Sequence, residues 1–315
     1  MISATSPQIE LRRLHRVFEH THAVNDVSFE VYAGEVFGYI GPNGAGKTTS
    51  MRILATLDEP TAGDAFVDGF SVIDDPDRVR RRLGFMPDYF GTYQNVNVLE
   101  YLDFFARAYG LAGRERLRAI DEVMEFTALD TLAHKPIDGL SKGMKQRLCL
   151  GRTMIHNPSV LILDEPAAGL DPRARIELRE MIERLAAAGK AILISSHILT
   201  ELAEIADRVA IIEQGQLLAV GSVNEISAGV QSLSLARVRV LRDAERLHSW
   251  LASRKDIFDL KMENGLASFS HTGDDESEAA LLRAIVEAGF PVVEFGARHK
   301  SLEDVFLHVT EGRVQ

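Results

Sequence analysis

Two hydrophobic periods run along this chain, and where one gives way to the other marks its elements. Leu11–Phe18 and Val24–Val31 carry strand-like patterns, the second partly alternating, with Ala33-Gly34 as a turn. Glu35–Ile40 is a short apolar strand that runs into a glycine-rich loop, and Lys47–Leu57 continues as a helix. Apolar residues at Leu99, Leu102, Phe105, Ala106 and Tyr109 repeat with a helical period, and Glu115–Phe126 and Met144–Ile155 also read as helices. Val160–Leu163 and Ala191–Ser195 are unbroken apolar runs, the pattern of parallel strands buried on both faces. Between them Arg173–Ala188 is a helix stopped by Gly189. Strand, helix and strand at that spacing make a βαβ unit, so the fold class is α/β with a parallel sheet.

The pattern changes after about Gly221. Arg237–Leu241 reads as a strand and Ala244–Ser253 as an amphipathic helix, and Phe258–Glu263 and Leu266–Ser270 flank the tight-turn pair Asn264-Gly265. Glu278–Ala288 is a helix with Leu281, Leu282, Ile285 and Val286 on one face, and Pro291–Phe295 is a last strand. The order β-α-β-β-α-β is that of a ferredoxin-like split unit. The expected organisation is therefore a first domain over 1–225 and a small α+β C-terminal domain over 226–315, closed by a terminal helix.

Composition narrows the class. The 315 residues are 46% hydrophobic and 26% charged, as in a globular protein, and no apolar run approaches the ~20 residues that span a bilayer. Met1–Glu10 carries neither a basic start nor an apolar stretch, so no secretory leader is expected. The single cysteine, Cys149, suits a reducing compartment and falls mid-helix among apolar neighbours, a packing position. The net charge of -11 disfavours a phosphate backbone as partner, so no nucleic acid is expected, and the Arg78, Arg80, Arg81, Arg82 cluster reads as a solvated helix face.

Two motifs carry chemistry. Gly41-Pro42-Asn43-Gly44-Ala45-Gly46-Lys47-Thr48 matches the P-loop pattern between a strand and a helix, with Thr49 extending the phosphate-binding stretch. Its glycines let backbone N–H groups and the helix N-terminus point at phosphates, Lys47 reaches the β- and γ-phosphates, and the Thr48 hydroxyl is a ligand for Mg²⁺. Val160–Leu163 then ends in Asp164-Glu165, which places two carboxylates at the carboxyl edge of the sheet. Asp164 is expected to hold Mg²⁺ and Glu165 to orient and deprotonate the attacking water. Together these features indicate a nucleotide hydrolase.

Leu140-Ser141-Lys142-Gly143-Met144-Lys145-Gln146-Arg147, just before that strand, resembles the signature motif of the ABC ATPases, usually written LSGGQ. Ala168-Gly169-Leu170-Asp171 resembles the family's D-loop, and His197 resembles its switch histidine. The resemblance covers about residues 10–225 and implies a P-loop ATPase fold with antiparallel β and helical subdomains. It further implies ATP as substrate with Mg²⁺, and a catalytic set of Lys47, Glu165 and His197. Ser141, Gly143 and Asp171 are then expected to complete the ATP site of a second copy arranged head to tail. Phe18 stands where the family stacks an aromatic ring on adenine, with core packing as the competing reading. Asp88 replaces the family's Q-loop glutamine, a usual metal contact, and a carboxylate there can bind Mg²⁺ but cannot donate a hydrogen bond.

The Lys142 and Met144 variants resemble those of multidrug or daunorubicin-type exporters, as does Ser301-Leu302-Glu303-Asp304-Val305-Phe306-Leu307 near the C-terminus. That resemblance implies an ATP-hydrolysing subunit on the cytoplasmic face of the membrane, coupled to a separate permease for export. The aromatics from Phe85 to Tyr109, which include Tyr89, Phe90, Tyr93, Tyr101, Phe104 and Phe105, are either core or a permease-facing surface. A soluble ABC ATPase acting on ribosomes or nucleic acid, and a regulatory ATP-binding module of low turnover, are the alternatives.

Overall fold

The computed structural model describes residues 6–89, 91, 95–222, 225–226, 233–263, 265–272 and 275–299. Contacts divide the chain into two units, Met1–Val223 and Asn224–Gln315.

The first unit contains two sheets. Strands β1 (Ile9–Phe18), β2 (Thr21–Val31), β4 (Ala62–Val67) and β5 (Phe70–Ser71) form an antiparallel sheet in the order β2-β1-β4-β5. The second has the order β10-β9-β3-β8-β7-β6, from β3 (Val36–Ile40), β6 (Leu83–Met86), β7 (Val160–Leu163), β8 (Ala191–Ser196), β9 (Arg208–Glu213) and β10 (Gln216–Ser222). All its pairings are parallel except β9 with β10. Every residue of β3, β7 and β8 is buried, which is why these strands are continuous apolar runs rather than alternating ones. Because β3 and β7 are parallel in one sheet, the loops leaving their carboxyl ends open on the same edge.

Helix α1 (Lys47–Leu54) follows β3, and α2 (Pro76–Arg82) displays its arginines to solvent. Its neighbour α1 stops three residues short of the expected Leu57. Thr56 adopts a left-handed φ of 58° and Leu57 N–H bonds back to the Arg52 carbonyl, a capping turn whose terminal leucine prolongs the apolar pattern without prolonging the helix. Strands β4, β5, β6, β9 and β10 were not marked by periodicity. Among them β6 is only four residues long and contains Gly84, where a Cβ would lie 2.3 Å from the Thr153 carbonyl.

A helical cluster packs α3 (Val98–Ala108), α4 (Gly113–Phe126) and α5 (Lys142–Met154) around Tyr101, Leu102, Ile120, Val123 and Leu148. Helix α3 begins at a reciprocal cap: Asn97 Oδ1 accepts from Glu100 N–H, and Glu100 Oε2 from Asn97 N–H, both at 2.9 Å. Cys149 is fully buried on α5, in the packing role expected of it. Helix α6 (Pro172–Ala187) joins β7 to β8, and the short α7 (Leu199–Ala203) follows β8.

In the second unit β11 (Leu233–Val240), α8 (Ala244–Ala252), β12 (Ile257–Glu263), β13 (Leu266–Thr272), α9 (Asp275–Glu287) and β14 (Val292–His299) build one antiparallel sheet, ordered β12-β13-β11-β14. This order results when two split β-α-β halves interleave. Ala236, Val238, Leu247, Leu251, Phe269, Leu281 and Ile285 form its own core. The expected terminal helix and 301–307, with Phe90, Tyr93 and Asn264, lie outside the described residues.

Candidate functional site

The loop Gly41–Gly46 leaves β3 and enters α1 with Gly46 at φ 106°, a conformation closed to other residues. A Cβ on Gly46 would also fall 2.2 Å from the Ala23 carbonyl oxygen, so glycine is required twice over. Lys47 is buried, and its ammonium donates to the Gly41 carbonyl at 2.6 Å and the Pro42 carbonyl at 3.2 Å. Burial pushes its pKa down, against the upward pull of Glu165 and Asp164.

Across the sheet edge, Asp164 is fully buried and accepts hydrogen bonds from Thr48 Oγ1 at 2.8 Å and Ser195 Oγ at 2.6 Å. Burial raises its pKa, and the two hydroxyls partly oppose that. Among the described residues it has no ion pair. Glu165 lies between two cation-capable groups, with Lys47 Nζ 3.7 Å from Oε1 and His197 Nδ1 2.8 Å from Oε2. Its Oε1 is shielded from solvent and makes no hydrogen bond. The backbone here is unusual, since Glu165 adopts φ 48° while its N–H donates to Ser195 Oγ at 2.8 Å.

The structure thus brings Lys47, Thr48, Asp164, Glu165 and His197 into one connected set. Ser141 and Asp171 instead cap helices, accepting from Met144 N–H at 3.3 Å and Ala174 N–H at 3.0 Å, and with Gly143 they make no hydrogen bond to that set among the described residues. Asp88 is exposed two residues beyond β6, and its charge acts on Asp164, opposing its ionisation. Phe18 is exposed, not core, and the Arg16 guanidinium stands 4.3 Å from its ring centroid.

A family model described as ABC transporter matches residues 24–168, from β2 through both carboxylates. The Nod factor export ATP-binding protein I of Burkholderia lata is 34% identical over 312 residues, covering 98% of each chain. The chain belongs to the ABC transporter ATP-binding proteins. Daunorubicin resistance ATP-binding protein DrrA3 of Streptomyces coeruleorubidus is 33% identical, covering 91% of both chains. A solved ATP binding subunit of an ABC transporter superposes with a TM-score of 0.65 at 31% identity, over 70% of this chain and 92% of that one. This ABC ATP-binding protein is accordingly an ATP hydrolase with a P-loop α/β fold, related to export ATP-binding proteins.

Two residues of this ABC protein's site escaped sequence reasoning. Ser195 contacts both Asp164 and Glu165 because Leu163 pairs with Ile194, which puts the next residues of β7 and β8 side by side. A hydroxyl ending an apolar run was the available signal, but only the register gives it meaning. Gln146, buried on α5, donates from Nε2 to the Pro166 carbonyl at 2.8 Å and holds the loop after Glu165.

Proposed function

We propose that this protein hydrolyses ATP with Mg²⁺ at two composite sites between head-to-tail copies, and so drives export through a separate membrane permease. The observation that carries the reading is Glu165: Ser195 Oγ accepts from its backbone N–H, His197 Nδ1 holds one carboxylate oxygen, and the other oxygen, shielded and 3.7 Å from Lys47 Nζ, makes no hydrogen bond. Such an oxygen is suited to take a proton from water. Backbone N–H groups of 43–49 and the N-terminus of α1 receive the phosphates, and Lys47 exchanges its loop carbonyls for phosphate oxygens. The buried Lys47 regains by that anion what desolvation costs it.

Thr48 and Asp164 fit a hard cation, because Asp164 is a buried carboxylate whose described partners are two hydroxyls and no base. Thr48 and Asp164 would hold Mg²⁺ there, and the ion would supply positive charge against the phosphates. Ser141 and Gly143, at the N-terminus of α5, are assigned to the γ-phosphate of the opposite copy, and Asp171 to the same interface. Phe18, exposed and backed by Arg16, is assigned to the adenine.

Among the described residues no helix is long and apolar enough to cross a membrane, in keeping with a permease on another chain. The strongly exposed Tyr89 and Phe104 are proposed to meet it, whereas Tyr101 is buried core. The direction rests on relatives named for export, and the cytoplasmic face on the family.

Glu165→Gln tests the reading. It is expected to keep ATP affinity while lowering hydrolysis by about two orders of magnitude or more, and to accumulate as an ATP-bound dimer by light scattering. Turnover near the parent rate would move the base elsewhere.

A further inference from the structure

We propose that Arg175 is a positioning residue for hydrolysis, clamping the loop that carries Asp171 to the helix that follows His197. Arg175 lies one turn into α6, and helical side chains lean toward their N-terminus, so its guanidinium reaches back over the loop. Its Nε donates to the Leu170 carbonyl at 3.1 Å. Its Nη1 forms an ion pair at 2.8 Å with Glu201 Oε1, on α7 and four residues after His197. His197 in turn holds Glu165 at 2.8 Å, and Glu165 begins the loop that ends at Leu170. The contacts close a ring: Glu165, loop, Leu170, Arg175, Glu201, His197 and Glu165 again.

A cavity of about 480 Å³ adjoins this ring, lined by Pro166, Ala167, Arg175, Ser195, Ser196 and Glu201 among others. On that side the two segments border open space, which the Arg175 side chain bridges through a hydrogen bond to the Leu170 carbonyl and an ion pair with Glu201. A second ion pair, Arg179 with Glu204, also ties α6 to the residue that caps α7. Simple attachment of the two helices is thus duplicated, and the bond to the Leu170 carbonyl is what Arg175 adds. Arg175 is 42% exposed, so the clamp can exchange with water as the loop changes state.

This inference rests on Glu165 and His197 acting as proposed above. The test is Arg175→Lys in the full chain, because a single ammonium keeps a charge near Glu201 but lacks the fork that also holds Leu170. We expect kcat for ATP hydrolysis to fall about tenfold, with KM for ATP and the thermal midpoint unchanged. Glu201→Gln, which keeps the shape and removes the charge, is expected to lower kcat in the same direction. Parent-like kcat in Arg175→Lys overturns the clamp. So does a loss of thermal midpoint and ATP affinity together, which would mark a merely structural arginine. The two failures are separable. A Glu165→Gln protein that turns over at the parent rate overturns the reading of the site and the clamp with it. An inactive Glu165→Gln beside an unaltered Arg175→Lys overturns the clamp alone.

Discussion

Glu165 holds its carboxylate in place at the cost of a left-handed backbone, φ 48°, on a residue with a side chain. Such a conformation costs on the order of 1 kcal/mol and persists only where neighbours overdetermine it. Here Ser195 Oγ accepts from its N–H, and Ala168 N–H bonds to its carbonyl. Asp88 stands where the family resemblance expects the Q-loop glutamine, and its charge bears on Asp164. If Asp88 and Asp164 share one metal position, activity depends on the cation. Asp88→Asn should raise the Mg²⁺ concentration for half-maximal ATPase and lower turnover, since an amide oxygen is a weaker ligand than a carboxylate. Asp88→Gln should keep more activity than Asp88→Ala, which offers no oxygen. Steady-state ATPase across a Mg²⁺ titration decides this: three variants that all follow the parent curve would remove Asp88 from the metal position.

Elements are joined at points where one half-buried side chain serves several of them. His156, just past α5, stacks on Tyr109 at 3.7 Å between centroids and bonds through Nε2 to the Leu83 carbonyl at 3.1 Å. It therefore links α5, the end of α3 and the start of β6. Burial drives its pKa from 6.5 down to about 4. The unfolded chain then takes up a proton between those values while the folded chain does not, so stability falls as pH drops through that window. Above the unfolded value this residue contributes no pH dependence. The loss should be about 2 kcal/mol by pH 5. His156→Gln, which keeps an N–H donor and does not titrate, should show a smaller drop in urea midpoint between pH 7 and pH 5. Equal drops in both proteins would refute the assignment.

For the whole molecule, each of the two units has its own hydrophobic core and its own closed set of strand pairings. A chain ending at residue 223 should therefore fold and bind ATP with the affinity of the full protein, as read by equilibrium titration with a fluorescent ATP analogue. Loss of binding in a folded truncation would bring the second unit into the site. Much of this organisation is legible in the sequence, where the information is contiguous. Gly41–Thr48 is a loop, cap and helix start written in adjacent residues, and Val160–Glu165 is a buried strand and its carboxylates in one run. The β-α-β-β-α-β order after residue 233 is likewise a succession of local periods and turns. The tertiary structure decided what depends on residues far apart in the chain. Thr48 meets Asp164 across 116 positions, and Ser195 meets Asp164 across 31, because β3, β8 and β7 lie side by side in parallel. Arg175 reads in sequence as another charged helix residue. It acquires a role only when β8 and α7 return beside α6, since register and helix packing, not local propensity, set which distant polar groups come within 3 Å.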